Sequence, residues 1–468
     1  MSQKIILELN NIDIYGKRFN GYSLQQYLNQ SSDYSAKLLV NHKYSKDQNV
    51  AELFSSDELT NYDWQIEPIE EKLHLKNQIS ISEDALISHP LYQEADLLHF
   101  HMYHNMHLPI EFLTRIPASK QILIEVHDTF WLTDKNIPML EVFNYSDLNK
   151  TPLDAQRRRV LNSIDATFVV HSPYTLNLFK KSDTTKNLKV HLIPFGIDTN
   201  VFKPKTNSNL RQKYNIKDDS FVLMCRSQKE FKGIGYIVKA LKLLKTPNPI
   251  TIITTNTKGL LKEIEDKYQI IDLGMVNSEE EMCDIYNLCD IFLAPSTEES
   301  FGFMTVEAMS CEKPVIVFEG TALPDTTHAP SIGIATKKSA TALANAIKYL
   351  MDHPDERIAR GKAGREYVLQ NYTEEKYFKN YLDLFNQLLS KGARKTKPYP
   401  KSTAPKNLDR LVPFLEGKIP DEKFDYNNLA VQNKIKNYNS LIYSKIVKQN
   451  NRKTIKKVLK RIIKKIRK

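Results

Sequence analysis

The 468-residue chain is 41% apolar, 26% charged and 10% aromatic, the composition of a folded globular protein with room for two or three domains. That excludes a disordered or fibrous chain and fits poorly with a single small binding module. The formal net charge of +11 does not describe the whole chain, because residues 452–468 hold ten Lys or Arg and no acid, leaving 56 basic against 55 acidic residues elsewhere.

No signal peptide or spanning helix is legible. The first ten residues read as a short strand, and no apolar stretch approaches the roughly 20 residues a bilayer requires. A cytoplasmic location is therefore expected. Cys225, Cys283, Cys289 and Cys311 stand in apolar surroundings without metal-type pairing and read as reduced core residues.

Strand-like runs fall at residues 4–9, 97–101, 121–126, 166–170 and 190–193. The polar, Pro-bearing segment 202–207 then reads as a hinge. Beyond it, strands at 221–225, 250–254, 290–294 and 314–318 alternate with helices at 234–244, 258–267 and 303–311. Such alternation implies parallel, doubly wound sheets. The fold class predicted is α/β with two Rossmann-like domains, 1–202 and 203–373, followed by a terminal helix, 374–390, that packs back toward the first. Five prolines between Pro398 and Pro420 make 391–450 an irregular extension. Over 451–468, Ile455, Val458, Leu459, Ile462, Ile463 and Ile466 recur at spacings of three and four, with the ten cations on the remaining face. That is a basic amphipathic helix suited to an anionic membrane surface, where each cation contributes about 1 kcal/mol. A solvated tail or a nucleic-acid arm needs no such regular apolar stripe.

The most specific chemical signal is the segment 295–309, a strand end, a loop and a helix start. Ligands of open α/β sheets bind at the carboxyl ends of strands, and free N–H groups at the helix start near Phe303 would face an anion there. Glu299 in the loop and Glu307 one turn into the helix would repel a diphosphate unless they accept from hydroxyls of a sugar or ribose. A second strand-to-helix junction carries Arg226 and Lys232, cations able to neutralise a departing diphosphate without a metal. No Asp-x-Asp pair is present, so no metal is expected.

These motifs resemble the retaining GT-B glycosyltransferases of family 4, over roughly residues 3 to 390. The E-x7-E motif matches Glu299 and Glu307, the Arg-x5-Lys pair matches Arg226 and Lys232, and a Pro-x-Gly-hydrophobic-Asp segment matches Pro194, Gly196, Ile197 and Asp198. The resemblance implies a GT-B fold with two domains facing across a cleft. It implies a donor site in which Glu307 binds ribose and Glu299, Ser300, Phe301, Gly302 and Phe303 hold the sugar. Arg226 and Lys232 would bind the diphosphate, and Met275 and Val276 would lie near the base. His127, in a Val-His-Asp run, matches the family's histidine at a strand end, which contacts the donor sugar near the reacting carbon. No protein nucleophile is then required.

The resemblance also weighs against zinc at His99 and His101, since the family often has His-x-His at this strand end; pocket lining or acceptor contact is expected. Three departures stand out. Gly16 and Gly21 are separate where the family has adjacent glycines near the phosphate, so Gly21 is carried over on a weaker match. Glu312 replaces a glycine, so the preceding helix is expected to end differently. Phe195 replaces an asparagine, with no predicted catalytic role. The function expected is transfer from a nucleotide diphosphate sugar, UDP-linked before GDP-linked, to a lipid-linked or cell-envelope glycan at the cytoplasmic membrane face. A sugar-nucleotide epimerase and a non-catalytic glycan- or partner-binding subunit are the alternatives; no nucleic-acid partner is expected.

Overall fold

The computed structural model describes residues 3–14, 16–54, 83–106, 108, 110–132, 152–206, 208–226, 230–255 and 259–397. The extension beyond residue 397 and the predicted basic helix at 451–468 lie outside the described residues.

The strands are β1 (Lys4–Ile12), β2 (Tyr34–His42), β3 (Val50–Glu52), β4 (Leu97–Phe100), β5 (Gln121–Val126), β6 (Thr167–Val170), β7 (Lys189–Leu192), β8 (Phe221–Arg226), β9 (Ile250–Thr255), β10 (Gln269–Asp272), β11 (Ile291–Ala294), β12 (Val315–Phe318) and β13 (Ile334–Thr336). They form one sheet in the order β3-β2-β1-β4-β5-β6-β7 and another in the order β10-β9-β8-β11-β12-β13, with parallel registers. Runs such as Ile-Leu-Ile in β5 and Val-Ile-Val in β12 are buried throughout, as strands covered on both faces must be. In each order the numbering reverses once, between β1 and β4 and between β8 and β11. A doubly wound sheet opens a ligand crevice at that reversal.

By packing, the described residues fall into two units, 3–122 with 152–165 and 392–397, and 123–132 with 166–391. In the first, the guanidinium of Arg394 donates to the carbonyls of Ile116, Pro117 and Lys120. In the second, the helices Ile234–Leu243 and Ala340–Asp352 bury Ile237, Leu241, Leu343 and Ile347 against β8, β9, β11 and β12. Their apolar residues recur at helical spacing, and Ser339 caps the second helix by accepting from the Ala342 amide. The terminal helix, Glu374–Leu389, contacts β5, where the Tyr381 hydroxyl donates to Glu125.

Some expectations change. The helix predicted over 258–267 is a single 3-10 turn at Lys262–Ile264 among turns. Leu261 and Ile264, three residues apart, are both buried, so one turn meets the only apolar demand of the segment. β2, β3, β10 and β13 had no strand prediction. β2 carries Lys37 and Asn41 inside its apolar run, and the other three are only three or four residues long. Glu312 adopts the left-handed conformation, φ 58°, usually left to glycine. The four cysteines are free and buried.

Candidate donor site

The site is built at the reversal of the second sheet. β8 ends on the exposed Arg226, whose Nη1 lies 3.4 Å from Met304 Sδ. β11 ends on Ala294, and the loop that follows is tied down by its backbone: the Thr297 amide donates to the Phe231 carbonyl at 2.7 Å and the Ala322 amide to the Glu299 carbonyl at 3.0 Å. Lys232, closing a 3-10 turn after β8, forms an ion pair with Glu299. The pair is partly exposed, so it holds its two side chains in place more than it stabilises the fold.

Gly302 ends the loop at φ 94° and caps the helix Phe303–Ser310 without a side-chain hydrogen bond of its own. A Cβ at Gly302 would stand 2.3 Å from Leu323 Cδ2, so both the backbone conformation and the packing require glycine. The result is a helix start with peptide N–H groups and the positive end of its dipole beside two cations.

Glu307, one turn further on, is buried and accepts from the Tyr286 hydroxyl at 2.7 Å. Burial, followed by the negative charge of Glu307, pushes the Tyr286 phenol well above its ordinary value. Tyr286 therefore stays protonated and acts as a fixed donor. It comes from the helix Glu279–Leu288, and nothing in its local sequence marks it.

Three neighbouring strand ends, those of β5, β6 and β7, add a second group to the same unit. They carry His127, His171 and Phe195. The Phe195 ring stacks on His171 at 3.6 Å and His127 at 5.6 Å, and packs against Phe301 at 5.3 Å and Phe303 at 4.8 Å. The expectation that Phe195 touches no predicted role is thus corrected, because its ring joins His127 to the loop of the E-x7-E motif. Glu125 and His171 were not singled out in the sequence either. Ser300 accepts from Thr175 Oγ1 through its carbonyl at 3.4 Å.

Of the remaining predicted residues, Met275 and Val276 follow the edge strand β10, with Met275 exposed. Gly21 belongs to the other unit. There, at φ 89°, it caps the helix Tyr22–Leu28, and a Cβ on it would lie 2.4 Å from His101 Nε2. His101 Nε2 and His99 Nδ1 lie 2.6 and 2.7 Å from the same oxygen of Glu8, all three residues being buried. Burial acts to raise the Glu8 carboxyl. The charge of His99 and the hydrogen bonds of both rings outweigh it, so Glu8 titrates below the ordinary 4.5.

Residues 206–367 match the family described as glycosyl transferases group 1. They are a group 1 glycosyltransferase domain. The GDP-mannose-dependent alpha-(1-6)-phosphatidylinositol monomannoside mannosyltransferase of Mycolicibacterium smegmatis is 26% identical over 234 residues, 46% of this chain and 60% of that protein. The capsular polysaccharide biosynthesis glycosyltransferase CapM of Staphylococcus aureus is 24% identical over 227 residues, again 46% and 60%. The alignment thus spans about three fifths of these relatives' length. Among solved structures, a sucrose-phosphate synthase from Thermosynechococcus elongatus superposes with a TM-score of 0.62 at 18% identity, covering 83% of this chain and 100% of that one. Anabaena HepE in complex with UDP and glucose does so at 0.57 and 17%, with the same coverage. The likeness shows the fold, GT-B, in which the group 1 domain supplies the second parallel sheet, and Arg226, Lys232, Glu299 and Glu307 all lie within its bounds.

Proposed function

We propose that the protein is a retaining glycosyltransferase that takes a sugar from a nucleotide diphosphate donor. The observation that carries this reading is the convergence, at the β8/β11 reversal, of Arg226, the Lys232–Glu299 pair and the Gly302-capped helix start. Two cations beside the positive end of a helix suit a diphosphate. A nearby buried carboxylate held by Tyr286 suits the paired hydroxyls of a ribose. As the glycosidic bond breaks, negative charge grows on the β-phosphate, and Arg226 and Lys232 would stabilise it more in the transition state than in the ground state. Because these side chains supply the positive charge, donor cleavage is proposed to proceed without a divalent metal.

His127 is proposed to contact the donor sugar, and Met275 and Val276 to lie by the base. UDP-sugars remain the first expectation, and the GDP-mannose-dependent relatives make GDP-mannose the second donor to test. The acceptor is proposed to be a lipid-linked or cell-envelope glycan. CapM supports this by its stated part in capsular polysaccharide biosynthesis, and the Mycolicibacterium relative by its phosphatidylinositol-based substrate. No helix among the described residues is long and apolar enough to cross a membrane. Attachment at the inner membrane face is proposed on the basic apolar-striped sequence of residues 452–468.

Release of nucleoside diphosphate from UDP- and GDP-sugars, followed with and without EDTA and with lipid-linked glycan acceptors, tests this reading. Turnover with one donor, undiminished by EDTA, and a product of unchanged anomeric configuration by NMR are expected. Absence of release and of binding with every donor would refute the reading.

A further inference from the structure

Behind His127 lies a buried carboxylate that the sequence motifs do not include. Glu125 sits two residues earlier on β5, on the same face of the strand, and is 1% exposed. Its Oε1 accepts from the Tyr381 hydroxyl at 2.5 Å. Its Oε2 lies 2.9 Å from His127 Nε2 and 3.3 Å from His171 Nε2. On its other side, His171 Nδ1 lies 2.9 Å from the Ile193 carbonyl, which can only accept, so that nitrogen carries the proton of a neutral His171 ring and His127, the nearer of the two imidazoles, is the one that brings a proton to Oε2.

An imidazole has two neutral forms that differ in which nitrogen holds the proton, and the environment chooses between them. An unprotonated Nε2 would set its lone pair 2.9 Å from a carboxylate oxygen, where the low local dielectric magnifies repulsion. A protonated Nε2 turns the same contact into attraction. The ring has little freedom to turn over, since Phe195 stacks on it and His171 stands 5.1 Å away. Glu125 is in turn oriented by Tyr381 from the terminal helix.

We propose that Glu125 is the positioning residue of His127, fixing the proton on Nε2 and with it the face that the ring presents to the donor sugar. The step to the sugar rests on the donor-site reading above; the protonation pattern stands on the contacts alone. Charge neutralisation at the phosphates by Arg226 and Lys232 is separate from this role, so Glu125 acts on the placement of the sugar and not on donor affinity.

The test uses the full chain labelled with 15N-histidine, read by long-range 1H–15N correlation, with the His127 ring identified by its disappearance in His127→Gln. The expected wild-type signal is the neutral form protonated at Nε2. In Glu125→Gln the preference should collapse to a mixture of tautomers. Its kcat for transfer should fall roughly tenfold to a hundredfold, as it does when the carboxylate orienting a metal-bound imidazole is removed, with donor KM nearly unchanged. Tyr381→Phe keeps the carboxylate and should keep the Nε2-protonated form, which provides a second variant if Glu125→Gln does not fold. A wild-type ring protonated at Nδ1, or a Glu125→Gln protein with unaltered tautomer and kcat, overturns the proposal. A wild-type protein that shows the predicted tautomer but no transfer with any donor sinks the functional reading and leaves the Glu125 assignment standing.

Discussion

At the scale of single residues, a donor site asks for charges that are held in place before the ligand arrives. Glu307 shows how this is done. Its carboxylate is buried and would be costly alone, and the Tyr286 phenol, kept protonated by burial and by Glu307 itself, supplies the partner. Tyr286→Phe should therefore weaken nucleotide-sugar binding several-fold while the protein stays folded, as read by calorimetric titration and circular dichroism. Unchanged affinity would show that the hydroxyl plays no part in presenting the carboxylate. The Glu8 cluster obeys the same logic with a different readout. Its carboxyl is held below the ordinary 4.5 by His99 and His101 despite burial. A depressed carboxyl contributes stability that is present above the unfolded value and is lost as pH falls below about 4.5 toward the native value. Glu8→Gln should cost about 3 kcal/mol at neutral pH, and the difference from wild type should shrink as urea titrations are carried below that pH.

At the scale of elements, the glycine at the start of the helix Phe303–Ser310 decides whether the loop can turn into the helix at all. Gly302→Ala would strain a left-handed backbone at a cost of roughly 1–2 kcal/mol and press on Leu323. A lowered melting temperature together with reduced donor affinity is expected, and a protein equal to wild type in both would contradict the geometry. Here the sequence was most readable. Arg226, Lys232, Glu299, Gly302 and Glu307 lie on two short strand-to-helix junctions, so spacing alone places them near one sheet edge. The partners that orient them were not readable, because they arrive from far along the chain: Tyr286 is 21 residues from Glu307, and Tyr381 is 256 from Glu125. Phe195 was misjudged for the same reason, since only the fold brings it between His127 and Phe303. β2 was missed because Lys37 and Asn41 interrupt an apolar run that tertiary burial nonetheless uses as a strand.

At the scale of the whole molecule, alternation of strands and helices was enough to predict two parallel sheets, while the edge strands β3, β10 and β13 escaped because three or four residues leave little pattern. The chain also separates its charge from its site: the body is near neutral, and the excess of cations is gathered in residues 452–468. Deleting those residues should abolish co-sedimentation with vesicles containing phosphatidylglycerol and spare activity on a soluble acceptor analogue. Retained vesicle binding would move the membrane contact elsewhere. The most direct measurement is a calorimetric titration of UDP- and GDP-sugars, in EDTA, into wild type and Glu307→Ala. Saturable binding of one donor by wild type, weakened roughly tenfold or more in the variant as the loss of a hydrogen bond to a charged group requires, is the predicted result. Equal affinity of the two proteins, or no binding by either, would contradict a nucleotide-sugar site at the β8/β11 reversal.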